Sequence, residues 1–90
     1  MQKFRWDEDK NIKLKLDRDI AFEDIVCAIK KGYLLDDIKH PKRVNQRILI
    51  VNINDYAHIV PYVQETKGTI FLKTIIPNRK ATKKYLKSKK

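Results

Sequence analysis

Apolar side chains fall at helical spacing between Phe22 and Ile29, through Ile25 and Val26, and the chain changes period soon after. Glu23 and Asp24 stand early in this stretch and Lys30, Lys31 and Gly32 close it, which predicts a helix. Upstream, Asp7 as a cap with Glu8 and Asp9 in the first turn predicts another helix over residues 8–16. Ile12, Leu14 and Leu16 alternate there, which is a strand-like feature in an otherwise helical segment. From Tyr33 the pattern turns extended. Tyr33 to Ile38 is expected to form a short strand, and Arg47 to Ile53 a strong one covered on both faces. Asn54-Asp55 supplies a hairpin turn into Tyr56 to Val63, whose Pro61 removes a ladder donor and so predicts an edge position or a bulge. After Thr66-Lys67-Gly68, a strand over Thr69 to Ile76 is stopped by Pro77, and Asn78 caps a last helix reaching about Ser88. The expected fold is α+β: two N-terminal helices, an antiparallel sheet of about four strands, and a C-terminal basic helix. No repeat or flexible linker interrupts it, so residues 1–90 are expected to form one domain.

With 42% apolar residues in 90, a modest core is expected and a bulky cofactor is not. The single cysteine, Cys27, sits among Ile25, Val26, Ala28 and Ile29 and is expected as a small buried thiol. No apolar targeting stretch or membrane-length run occurs, so a soluble, cytoplasmic chain is expected. Charge alters the picture more. Residues 1–65 hold 12 basic and 11 acidic side chains, whereas residues 66–90 hold 9 basic ones and no carboxylate. Nearly all of the net charge of +10 is therefore concentrated late in the chain, the footprint expected for a polyanion partner.

In the last predicted helix Arg79, Lys83 and Lys87 recur at i, i+4 and i+8, beside a second row of Lys80 and Lys84. Like charges at this spacing repel by about 0.2–0.5 kcal/mol per pair. Arg79 and Lys80 also occupy the end of the helix where the dipole disfavours cations. A bound phosphate would relieve both penalties, whereas a solvated lysine tail would relieve neither. Ala81, Tyr85 and Leu86 are left to face the sheet.

Four segments, Phe4-Arg5-Trp6-Asp7, Ala21-Phe22-Glu23-Asp24, the hairpin-linked strands and Ile76-Pro77-Asn78-Arg79-Lys80-Ala81-Thr82, occur in an order that resembles the BrnT family. Those proteins are toxin halves of bacterial type II toxin–antitoxin pairs, similar in fold to the RelE ribonuclease toxins. The resemblance implies RNA cleavage and a cognate antitoxin, commonly a ribbon-helix-helix DNA-binding protein, in a toxin–antitoxin hetero-oligomer. Arg79 matches the family pattern. Asp17-Arg18-Asp19 stands where many members carry Lys-His-Gly, Lys73-Thr74 falls near a family arginine, and Tyr85 replaces a family glutamate.

Cleavage by the RNA's own 2′-hydroxyl needs a base, an acid at the leaving 5′-oxygen, and cations around the phosphorane, but no cofactor or metal. Arg79 suits the cationic role because its fork matches two phosphate oxygens. Lys83 is a candidate acid or base, as are Tyr85 and His40, which precedes Pro41-Lys42-Arg43. Lys73, Lys80, Lys84, Lys87 and Arg47 are candidate RNA contacts, while His58, inside a strand, is expected to be structural. Asp7/Glu8/Asp9 and Asp36/Asp37 are tight carboxylate groups, and they are read as caps and solvated loops rather than metal ligands. The rival expectation is a non-catalytic RNA- or DNA-binding module that uses the same helix. A further rival is an interaction protein whose basic helix docks on an acidic partner.

Overall fold

At the start of the described chain the side chains alternate, Phe4 and Trp6 half-buried between the exposed Lys3 and Arg5, so this segment is a strand. In the computed structural model, which describes residues 3–86, it is β1 (Lys3–Trp6). Two helices follow, α1 (Glu8–Arg18) and α2 (Phe22–Lys30), then β2 (Leu34–Lys39), β3 (Gln46–Ile53), β4 (Tyr56–Thr66), β5 (Thr69–Leu72), β6 (Ile76–Pro77) and α3 (Arg79–Tyr85). The result is a compact α+β fold of three helices on a mixed sheet.

The strand order is β1-β5-β4-β3-β2, with β6 also pairing with β4. The expected four-stranded antiparallel sheet is thus too small, because β1 lies parallel to β5 with Lys3 opposite Thr69 and Trp6 opposite Leu72. A parallel pair needs a long crossover. Here everything from α1 to β4 supplies it, which hides the pairing from local pattern.

The helix starts follow their caps. Asp7 Oδ1 accepts from the amides of Asp9 at 2.9 Å and Lys10 at 3.4 Å, and Asp24 reaches back to the Ala21 amide at 2.9 Å. α1 buries only Asn11 and Leu14, leaving Ile12 and Leu16 exposed, which explains its strand-like alternation. Asn11 ties the two helices together. Its Oδ1 accepts from the Phe22 amide at 2.7 Å and its Nδ2 donates to Glu23 at 2.8 Å. Cys27 corrects the expectation of a buried thiol: α2 buries Phe22, Ile25 and Ala28, and two residues past Ile25 the helix has turned outward, so Cys27 is exposed.

The β3–β4 turn is the expected hairpin, with Asn54 and Asp55 at φ 54° and 65°. Pro61, by contrast, is not on an edge strand, since β4 lies between β3 and β5. Its carbonyl accepts from the Lys73 amide at 2.8 Å, so its nitrogen faces the same side. That side is where β5 has ended at Leu72 and β6 has not yet begun, so the missing donor falls at a break in the partner strand. The expected single strand over Thr69 to Ile76 is broken at that same point, and Ile75 turns into the core instead.

The two faces of the sheet are covered differently. Leu49 and Val51 on β3, Val60 and Tyr62 on β4, and Ile70 and Leu72 on β5 pack with Leu14, Phe22, Ile25 and Ala28 of α1 and α2. Ile48 and Ile50 face the other way and, with Ala57 and Ile59, receive Ala81, Tyr85 and Leu86 of α3.

Candidate nucleic-acid interface

α3 is short and none of its residues is buried, so side-chain hydrogen bonds fix its position. At its start Asn78 Oδ1 accepts from the Ala81 amide at 2.7 Å. The Thr82 hydroxyl donates to the Asn78 carbonyl at 2.8 Å and accepts from the β4 amide of Ala57 at 2.9 Å. At the far end the Tyr85 hydroxyl donates to Asp36 on the edge strand β2 at 2.6 Å. The helix therefore bridges β4 to β2, pinned at both ends. Arg79, Lys80, Lys83 and Lys84 all lie exposed on its outer side, and none makes an ion pair among the described residues.

The other sequence candidates separate. Tyr85 is an anchor: its bond to Asp36 raises the phenol's pKa and holds the carboxyl below its usual range, with the Asp37 amide and Lys84 adding to the latter. His40 Nδ1 accepts from the amides of Lys42 and Arg43 at 3.1 and 3.2 Å, which organises the loop between β2 and β3. Arg79 follows Asn78, whose amide bonds the Ala57 carbonyl, and Ala57 pairs with Asn52 at the opposite end of β3 from Gln46, the partner of His40. Six residue steps of strand, about 20 Å, separate those points. The structure does not bring His40 to Arg79.

Arg47 is also elsewhere. It faces the α1/α2 side, in register with Tyr62, where its Nε meets Asp37 Oδ1 at 3.0 Å. Asp37 accepts from the Tyr62 hydroxyl as well, at 2.9 and 3.0 Å. The pair raises the guanidinium's pKa, and the phenol's is raised chiefly by burial and then by Asp37. Asp36 and Asp37 thus hold tyrosines on opposite faces of one strand and do not converge, while Asp7 is a helix cap. Lys73 is exposed on the α3 side of the sheet, with its Nζ 5.7 Å from the centre of the Phe71 ring. Lys87 lies outside the described residues.

His58 lies on the α1/α2 side, half-buried, with Nδ1 donating to the Tyr56 carbonyl at 3.0 Å. Burial lowers its pKa, the backbone bond opposing, so the ring is neutral near pH 7. It lines a groove of about 1000 Å³ together with Arg18, Asp19, Asp24 and Lys31. Cations and carboxylates are mixed around that groove, unlike the single-sign row on α3. No family model, characterised protein or solved structure matches the chain. The site is consequently read from its own chemistry.

Two residues of the α3 side escaped the sequence reading, Arg5 and Phe71, which sit opposite one another across β1 and β5. The available signal was the period of two in Ile70-Phe71-Leu72, which turns Phe71 away from the core that holds its neighbours.

Proposed function

We propose that this protein is an endoribonuclease toxin of the BrnT and RelE-like kind, which grips RNA with α3 and is neutralised by an antitoxin. The observation that carries the reading is the outer side of α3. Four cations stand there on a helix fixed at both ends, in a part of the chain that contains no carboxylate after Glu65. An RNA phosphate meeting Arg79 and Lys83, one helical turn apart, relieves their mutual repulsion. In the cleavage step the 2′-oxygen attacks phosphorus, the 5′-oxygen leaves, and a 2′,3′-cyclic phosphate forms. The 2′-hydroxyl proton passes to a base and the 5′-oxygen receives one. Arg79 braces the phosphorane by a bidentate contact, and Lys83, one turn further along the helix, is the candidate for a proton transfer. The antitoxin, by covering a face of one charge sign, would be chosen by complementary charge.

The engagement of Tyr85 and His40 in structural bonds favours a second reading, a module that binds RNA without cutting it. One variant separates the two. Arg79→Ala is expected to lower single-turnover cleavage at saturating protein by about 10²–10³-fold, the range for one lost oxyanion donor, and to abolish growth arrest in bacteria. Folding should survive, because Arg79 is exposed and the cap belongs to Asn78. Unchanged cleavage in Arg79→Ala would remove it from the chemistry. Soluble wild-type protein that binds RNA but neither cuts it nor arrests growth would establish the binding module.

A further inference from the structure

Phe71 is the one large apolar side chain of β5 that belongs to neither core cluster. It rises on the α3 side of the sheet, where it pairs laterally with Val63 and Arg5. The α3 contacts fall on β2, β3 and β4 and leave it out. Two cations flank the ring. The Arg5 guanidinium carbon and the Lys73 Nζ each lie 5.7 Å from its centre. Glu65 holds Arg5 in place at 2.6 Å and offsets part of its charge, whereas Lys73 is exposed and makes no ion pair among the described residues.

We infer that Phe71, between Arg5 and Lys73, is a stacking subsite for one unpaired base, and that the RNA taken by this protein is single-stranded. The inference rests on the RNA-binding reading of α3 and extends it to the other half of the same face. An aromatic ring accepts the π-face of any base, so such a contact adds affinity without choosing sequence. A duplex keeps its bases stacked within and cannot offer one. Cations beside the ring suit the phosphates on either side of a splayed base, and their own hold on a half-buried ring is weak enough to yield to it. A ring that only clamped β1 to β5 would not need Lys73 beside it on the side that α3 leaves uncovered.

The test compares a short oligouridine with an RNA duplex, binding each to the whole chain over a range of salt. Phe71→Leu should weaken oligouridine binding about tenfold. It should leave duplex affinity and the salt slope unchanged, because no charge is lost. Phe71→Tyr should bind as the parent does. Lys80→Ala with Lys84→Ala should weaken both ligands and flatten the slope. If Phe71→Leu matches the parent while the double lysine variant is weakened, the stacking subsite is wrong and the α3 interface stands. If the parent binds neither RNA, the α3 reading fails and this inference goes with it. Should Phe71→Leu misfold by circular dichroism, photo-crosslinking of 4-thiouridine RNA to the parent decides. A crosslink on Phe71 supports the subsite, and crosslinks confined to α3 overturn it.

Discussion

The two faces of this sheet differ in how they are held and in what they carry. On one, α1 and α2 close over side chains that are wholly buried, among them Phe22, Ile25, Val51, Val60, Leu72 and Ile75. The segment that forms those helices, residues 7–31, has seven carboxylates and six cations, close to neutral. On the other, α3 buries none of its residues fully and is held by hydrogen bonds from Thr82 and Tyr85. All four of its charged side chains are positive. The larger buried cluster lies on the first face, with a smaller one under α3. The second keeps like charges close together, an arrangement that costs folding free energy and that a bound anion would offset.

The sharpest way to break this contrast is Phe22→Ala. A fully buried aromatic lost from the closed face should cost about 3–5 kcal/mol in urea denaturation. Among molecules still folded, the salt dependence of RNA binding should not move. A changed salt slope would mean that the two faces are not independent.

Asn11→Ala is the next largest. It leaves the Phe22 amide without its 2.7 Å partner inside the core, at a cost of about 1–3 kcal/mol. Glu23, whose pKa is lowered first by the Asn11 bond, should return toward the ordinary carboxylate value. A proton NMR titration of Glu23 that is identical in parent and variant would contradict the role given to Asn11.

Asp36→Ala should have the smallest effect on stability and the most informative pH dependence. The folded pKa of Asp36 is depressed, so its bond to Tyr85 contributes above the unfolded value of 3.8 and fades as pH falls through the folded one. Parent and variant should differ in denaturation midpoint at about pH 7, and the difference should shrink as pH falls below 3.8 through the depressed folded value. A difference that persisted in acid would mean that something other than the carboxylate pins the end of α3.

Much of the fold was legible where the signal is local. The α2 stripe, the Asn54-Asp55 turn, the doubly covered β3 and the inward side of α3 all follow from spacing within a few residues. Apart from Cys27, whose place on the α2 turn was misjudged, the misses involve partners distant in sequence. β1 is four residues long and pairs with a strand more than sixty positions away. Pro61 looked incompatible with a central strand because the gap in its partner lies at Lys73–Ile75, in another part of the chain. The site was half legible. Charge counting located α3, but adjacency in sequence misled for Asp36 and Asp37, since consecutive strand residues face opposite ways. Arg47 was drawn to the interface by its charge alone, and its register with Tyr62 turns it to the far side.

The parallel pairing of β1 with β5 also sets an order of events during synthesis. Lys3 and Thr69 are 66 positions apart. At the ordinary pace of translation β1 waits roughly 3–13 s for the strand it must join. Through that interval Phe4 and Trp6 lack the sheet that later shelters them, and Arg5 has no Phe71 beside it. An unfinished chain thus carries α1 and α2 but only fragments of the basic face. The basic face is complete only once β5 and α3 have both been made.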